Sequence, residues 1–471
     1  MRVCLTSHSA GSSPTPGAVA ALRMLARMSW VLSTPAASLV LEVLEPTVDG
    51  AVIALPYRIV HRETDESVEF TERVTLPGDS TVTPSVRLLR LLALAAAPSY
   101  YKTCIPATVR VPSGLTQVER DFLVEVVAHG LGEFAYRNQV PQALRPGVEA
   151  PPLPEPEPHA SVAHDPVRPL VAVGGGKDSI VTIESLRGMG VTPTLFSVNS
   201  YAPIEATART AELPLVVARR ALDPLLFELN AAGALNGHVP VTAVNSVIGL
   251  LTAERLGLDA VVFSNEASSS FGNITWEGIE VNHQWSKGID FERLLAHASA
   301  GAGVRYFSFL RPLTELAIMR RFGALTGYHS VFTSCNRAFH LDESRRRLWC
   351  GECPKCHFVF LCLSPFMGRE ALQGIFGGRD LFADPDQREG FLELLNADGR
   401  MKPFECVGEP DECRAALTLV SRHPEWEGHP FFTDPAVAAC LVDEAGVESA
   451  FGFSDDHLLP ASYEKAAREV L

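Results

Sequence analysis

The sequence predicts an α/β protein on a doubly wound parallel sheet, preceded by an α+β N-terminal domain and followed by a mainly helical C-terminal region. Three observations predict it. After Pro169, short apolar runs alternate with helix-length stretches, as parallel strands joined by right-handed crossovers require. An apolar strand at Val171-Ala172-Val173 runs straight into Gly174-Gly175-Gly176-Lys177-Asp178-Ser179, with a helix-compatible stretch behind it. Ahead of both, residues 39–76 carry three strand-like segments separated by turn residues.

In the first part, residues 39–44, 51–60 and 67–76 alternate or run apolar, the pattern of antiparallel strands. Thr116 and Glu119 form a capping-box pair ahead of Phe122, Leu123, Val126 and Val127, whose spacing makes one apolar helix face. From Pro141 the chain becomes Pro-rich, with Pro151-Pro152-Leu153-Pro154-Glu155-Pro156-Glu157-Pro158 at the centre. A locked φ and missing N–H groups exclude a helix or an interior strand there, so 141–168 reads as a linker.

Beyond it the expected strands are 170–173, 193–198, 214–217, 260–264, 304–309 and 331–333. The expected helices are 205–211, 222–232, 241–256, 291–298 and 315–325, besides the one that follows the Gly-rich loop. Such a sheet takes ligands at the carboxyl ends of its strands, where that loop lies. The domains expected are 1–140, the linker, a nucleotide-binding unit over 169–357, and a helical region over 358–471. There is no internal repeat.

The loop itself is built for phosphate. Backbone N–H groups, a cation and small polar side chains converge at a helix N-terminus, where the partial positive charge of the helix favours anions. Its spacing fits neither the Walker A loop nor the dinucleotide fingerprint. Gly174, Gly175, Gly176, Lys177, Asp178 and Ser179 are therefore the candidate phosphate-binding residues.

A second pattern lies at Cys335 and then Cys350-Gly351-Glu352-Cys353-Pro354-Lys355-Cys356. Cys-x-x-Cys-x-x-Cys with a fourth Cys upstream offers four soft ligands to one tetrahedral Zn²⁺, and four sulfurs leave no open position for catalysis. A structural Zn²⁺ site at Cys335, Cys350, Cys353 and Cys356 is expected, with His340 or His357 as alternatives to Cys335. Between the two motifs, Glu266 ends a strand within Ser264-Asn265-Glu266-Ala267-Ser268, and His283 and Lys287 share the next loop. Those positions suit acid/base and anion-binding roles. Arg345, Arg346 and Arg347 add a local basic cluster.

Composition narrows the class. A formal charge of −15 over 471 residues offers no basic surface for a nucleic acid. The apolar run at 88–98 contains Arg90 and is too short to span a bilayer, and the first eight residues lack a signal-peptide apolar segment. A cytoplasmic protein with no nucleic-acid or membrane partner is expected, its ten Cys serving as thiols or metal ligands.

The loop resembles the S-G-G-x-D-S pyrophosphate loop of ATP pyrophosphatases, with Gly174 in place of the leading Ser. The Cys segment resembles the one that closes the same domain in 7-cyano-7-deazaguanine synthase, although the interval from Cys335 to Cys350 is longer here. The order of the front domain, G-G-G-K-D-S, S-N-E-A-S, N-H-Q-W-S-K and C-G-E-C-P-K-C is similar to that of the UDP-N-acetylmuramoyl-L-alanyl-L-glutamate epimerase family. That resemblance, from Val171 to about Phe366, implies a doubly wound sheet of the pyrophosphate-loop ATPase type. It also implies an ATP- and Mg²⁺-dependent inversion of the terminal L-Glu of UDP-MurNAc-L-Ala-L-Glu, releasing AMP and pyrophosphate during cell-wall precursor synthesis. Gly174 to Ser179 would then hold the leaving phosphates, Lys177 would neutralise them and Asp178 would bind Mg²⁺. Glu266 and His283 would transfer protons, and Lys287, Arg345 and Arg346 would meet the anionic groups of the substrate. A different ATP pyrophosphatase or a non-catalytic ATP sensor fits parts of the same pattern.

Overall fold

The computed structural model describes residues 30–64, 66–79, 82–155, 165–339, 344 and 346–471. Its strands are β1 Leu39–Val43, β2 Thr47–Asp49, β3 Val52–His61, β4 Ser67–Thr75, β5 Thr108–Arg110, β6 Gly147–Glu149 and β7 Pro169–Ala172. They continue as β8 Thr194–Val198, β9 Leu215–Ala221, β10 Ala260–Phe263, β11 Ile274–Trp276, β12 Ile279–Val281 and β13 Arg305–Ser308. All but the β11–β12 hairpin belong to one mixed sheet in the order β13-β10-β7-β8-β9-β4-β3-β1-β5-β6, with β2 on β3.

The five strands from β13 to β9 are parallel, and β7 lies between β8 and β10. The chain winds from β7 through β8 to β9 in one direction, then returns past β7 to β10 and β13. The switch point therefore falls at the carboxyl ends of β7 and β10, where an open α/β sheet forms a crevice. These strands are apolar on both faces because both faces are covered. Leu170, Phe196, Val261 and Tyr306 join one core, while Val171, Leu195, Val262 and Phe307 join the other.

The front strands show the alternation their sequence predicts. Ile53, Leu55, Tyr57 and Ile59 of β3 are buried, and the residues between them are partly exposed. These strands share a sheet with the parallel set, joined where β4 pairs antiparallel with β9. At that seam Glu72 is fully buried and accepts bonds from Arg220 Nε at 2.6 Å and from the Tyr100 hydroxyl at 3.2 Å. The capping box at Thr116 forms: its Oγ1 accepts from Glu119 N–H at 3.2 Å, and Glu119 accepts from Thr116 N–H at 3.0 Å.

Two expectations change. Residues 331–333 form no strand, because the Thr333 N–H donates to the Gly175 carbonyl at 2.9 Å and holds the segment against the Gly-rich loop. The start of the Pro-rich stretch is tied down, with β6 pairing parallel to β5 and Pro152 bridging to Leu115. Residues 156–164 of that stretch lie outside the described residues. After residue 353 the chain is helical, from Pro354–Leu363 to Ala461–Arg468, around an aromatic core at Phe382, Phe391, Trp426 and Phe431. Among the described residues no helix is long and apolar enough to cross a membrane.

Candidate active site

The Gly-rich loop opens directly from β7, and Gly176 caps the helix Lys177–Gly188. Gly175 has φ +82°, and a Cβ there would lie 3.0 Å from Pro203 Cβ and 3.1 Å from the Pro203 carbonyl carbon. A side chain is excluded twice, by backbone conformation and by contact. The loop borders a cavity of about 300 Å³ at the switch point, lined also by Ser264, Asn265, Lys287, Thr333, Ser334 and Lys355.

Gly174, Gly176, Asp178 and Ser179 face this cavity. Lys177 does not: its side chain is buried behind them, with Nζ 2.5 Å from both Asp178 Oδ1 and Glu315 Oε2. Burial disfavours its charge, but Asp178, Glu315 and Glu266 outweigh that and hold it protonated. Burial in turn drives the Glu315 carboxyl well above the usual carboxylate range, with Asp178, Glu266 and Glu412 adding repulsion against the opposing pull of Lys177. Burial also pushes Glu412 up to about 7. Among the described residues, Lys287 and Lys355 are the cations that line the cavity.

One buried arginine fixes the loops that carry Glu266 and Lys287. Arg311 donates to Glu292 at 3.0 Å, to the Glu266 carbonyl at 2.6 Å, to Ser269 Oγ at 2.9 Å and to the Lys287 carbonyl. Arg311→Ala should cost about 3–5 kcal/mol, because it leaves Glu292 buried without its partner. It should also loosen both loops. Denaturant unfolding measures the first effect, and an unchanged midpoint would contradict it.

Behind Lys287 lies a cluster around His283. Its Nδ1 sits on Glu133 Oε2, a carboxylate that also receives Arg137 Nε and has His238 Nδ1 at 3.6 Å. Cys406, from the C-terminal region, completes it with Sγ 3.3 Å from Lys287 Nζ and in contact with His283. Burial opposes the His283 charge, but Cys406 and Glu133 raise it to about 9. Burial and the neighbouring His283 push His238 down to about 4. For Cys406, burial is outweighed by Lys287 and His283, and its thiol is lowered to about 6. Glu133, His238 and His283 are close enough to share a cation. Arg137 Nε on Glu133 and Lys287 Nζ beside Cys406 already bring two cations to this place.

The four expected cysteines meet. Sγ separations are 3.9 Å for Cys335–Cys353, 3.7 Å for Cys350–Cys356 and 3.5 Å for Cys353–Cys356. Tetrahedral coordination at about 2.3 Å requires sulfurs about 3.8 Å apart, so the cluster fits a metal ion. His357 is turned away onto Gln387 at 2.9 Å, and His340 lies outside the described residues. The cluster also shapes the cavity, because Thr333 and Ser334 precede Cys335, and Lys355 lies between Cys353 and Cys356.

Glu266 is buried beside Asn265, near Lys177 and Lys287 but off the cavity lining. Arg346 stacks over Tyr201, with its guanidinium 5.9 Å from the ring centre, and Arg345 lies outside the described residues. Sequence reasoning missed Lys355, Glu315, Glu133, His238 and Cys406. Lys355 stood inside a recognised motif; the others lie far from any motif in sequence.

A family model for the MurL N-terminal domain matches residues 37–309, and one for the MurL C-terminal domain matches 331–446. A UDP-N-acetyl-alpha-D-muramoyl-L-alanyl-L-glutamate epimerase of Salinispora tropica is 48% identical over 388 residues, covering 80% of this chain and 83% of its own length. Proteins of the same name from a Micromonospora species and from Xanthomonas oryzae pv. oryzae are 45% and 44% identical. They cover 85% and 77% of this chain, and 92% and 82% of their own lengths. No solved structure matches the chain.

Proposed function

The chain belongs to the MurL family, and on that premise we propose that it inverts the terminal L-Glu of UDP-MurNAc-L-Ala-L-Glu to D-Glu while cleaving ATP to AMP and pyrophosphate. The observation that carries the ATP half of this reading is the Gly-rich loop at the switch point, opening onto a cavity that Lys287 and Lys355 also reach.

The chemistry explains why an epimerase needs such a loop. A proton beside an ionised carboxylate is barely acidic, because its loss would create a dianion. Attack of the glutamyl α-carboxylate on the α-phosphorus expels pyrophosphate and leaves an uncharged acyl carbon, from which deprotonation comes within reach of side chains. Return of a proton to the other face inverts the centre. Water then cleaves the mixed anhydride to carboxylate and AMP.

Gly174, Gly176 and Ser179 would hold the leaving phosphates, with Lys287 and Lys355 opposing their charge. Lys177 acts from behind by fixing Asp178 and Glu315. Asp178, one-third exposed at the cavity, would hold Mg²⁺, which supplies further charge neutralisation at the pyrophosphate. Glu266 and the His283 cluster would supply the proton-transfer groups, and Arg345 and Arg346 would meet the substrate diphosphate. The four cysteines would hold a structural Zn²⁺. A cytoplasmic location belongs to the same reading.

The test is to incubate the protein with ATP, Mg²⁺ and UDP-MurNAc-L-Ala-L-Glu, then determine the chirality of Glu after hydrolysis and the pyrophosphate released. Appearance of D-Glu together with pyrophosphate is expected. Pyrophosphate release with another substrate, and none with this one, would overturn the reading.

A further inference from the structure

We propose that Cys406 is the base that takes the α-proton, with Glu133 and His283 as positioning residues behind its sulfur. This rests on the epimerase reading and names a group within it.

The geometry is that of an activated nucleophile or base, a thiol on an imidazole that is itself oriented by a carboxylate. His283 spends Nδ1 on Glu133 and interacts with the Cys406 thiol. Glu133 is fixed by Arg137, and neutral His238 lies against the back of the pair. On its other side the sulfur meets Lys287, which lines the cavity beside the Gly-rich loop. The segment leading into Cys406 is pinned just ahead of it: the Pro403 carbonyl accepts from Asn273 at 3.1 Å, and Glu405 accepts from Asn336 at 2.7 Å.

Cys406 stands off the cavity lining, as Glu266 does, and reaches it beside Lys287; Lys287, Lys177 and Glu315 serve less well. Lys287 is held protonated, since Cys406 and Glu266 outweigh the effect of burial, and Lys177 is engaged by two carboxylates. Glu315 is pushed toward its neutral acid by burial. A base works best with a pKa near the working pH, and the thiol at about 6 meets that condition. In the step, the thiolate lone pair forms an S–H bond, the Cα–H electrons move into the enolate of the acyl-adenylate, and nothing is oxidised or reduced.

The groups facing the thiol are Lys287, His283 and Lys355, with Glu133, His238 and Arg137 behind the imidazole. All three facing groups favour thiolate. Alkylation of Cys406 by iodoacetamide, read on its own peptide by mass spectrometry, should therefore rise to a plateau with a midpoint near pH 6. His283→Gln should move that midpoint upward, whereas a purely structural histidine would leave it in place. A wild-type midpoint near the ordinary thiol value of about 8.5 would overturn the proposal.

With substrate, ATP and Mg²⁺ in D₂O, Cys406→Ser should lose α-deuteration and inversion by roughly 10²–10⁴-fold. Substrate-dependent pyrophosphate release should persist in that variant. Inversion at the wild-type rate in Cys406→Ser, or in wild-type protein fully alkylated at Cys406, would overturn the proposal. The alkylated protein serves where the variant fails to fold. Failure of the wild type itself to release pyrophosphate would instead count against the epimerase reading, since the alkylation midpoint needs no substrate.

Discussion

Asp178→Ala is expected to abolish substrate-dependent pyrophosphate release, by at least about 10²–10³-fold, the scale seen when one preorganised charge-stabilising group is removed. The side chain stands in the first turn of the helix Lys177–Gly188 and borders the cavity. It is the carboxylate of the loop, and on the proposed reading it would hold Mg²⁺ there. Its loss should leave the fold intact, because the carboxylate is one-third exposed and an acid at a helix N-terminus contributes about 0.3–1 kcal/mol. Lys177 keeps Glu315 as partner in the variant. Pyrophosphate release and thermal melting separate the two effects. Full activity in a folded Asp178→Ala protein would refute the role given to the loop.

The second large effect is on the metal site. Freshly purified protein should carry about one Zn²⁺ per chain, and Cys353→Ser should remove it together with more than about 4 kcal/mol of stability, a loss reached only by mechanisms such as removal of a structural metal. Cavity chemistry should suffer as well, because Thr333, Ser334 and Lys355 flank the ligands. His357→Ala should leave zinc content unchanged, since that ring bonds Gln387 instead. Elemental analysis decides: no zinc in the wild type, or full zinc in Cys353→Ser, would contradict the assignment.

Sequence legibility followed locality. The Gly-rich loop and the three clustered cysteines are contiguous chemistry, so residue types and spacing were enough to find them. The parallel strands were visible for the same reason, since burial on both faces leaves unbroken apolar runs such as Ala260–Phe263. Residues 331–333 have that look without the role, because their backbone bonds to the loop rather than to a strand. Lys177 reads as a phosphate cation until Glu315 is seen beside it, 138 positions on in the chain and paired through the fold. Cys406 is the extreme case. It has no motif around it, and the groups that lower its thiol, Lys287 and His283, lie more than a hundred positions away, which only tertiary structure reveals.

The central claim is that cleavage of ATP is what makes the glutamyl α-proton removable. The most direct measurement follows α-deuterium incorporation into the substrate Glu in D₂O, with ATP, without it, and with an analogue whose α,β bridge resists cleavage. Exchange and inversion are expected with ATP alone, both vanishing in the other two arms. Full-rate exchange in the absence of ATP would contradict the claim and leave the Gly-rich loop in need of a different reaction.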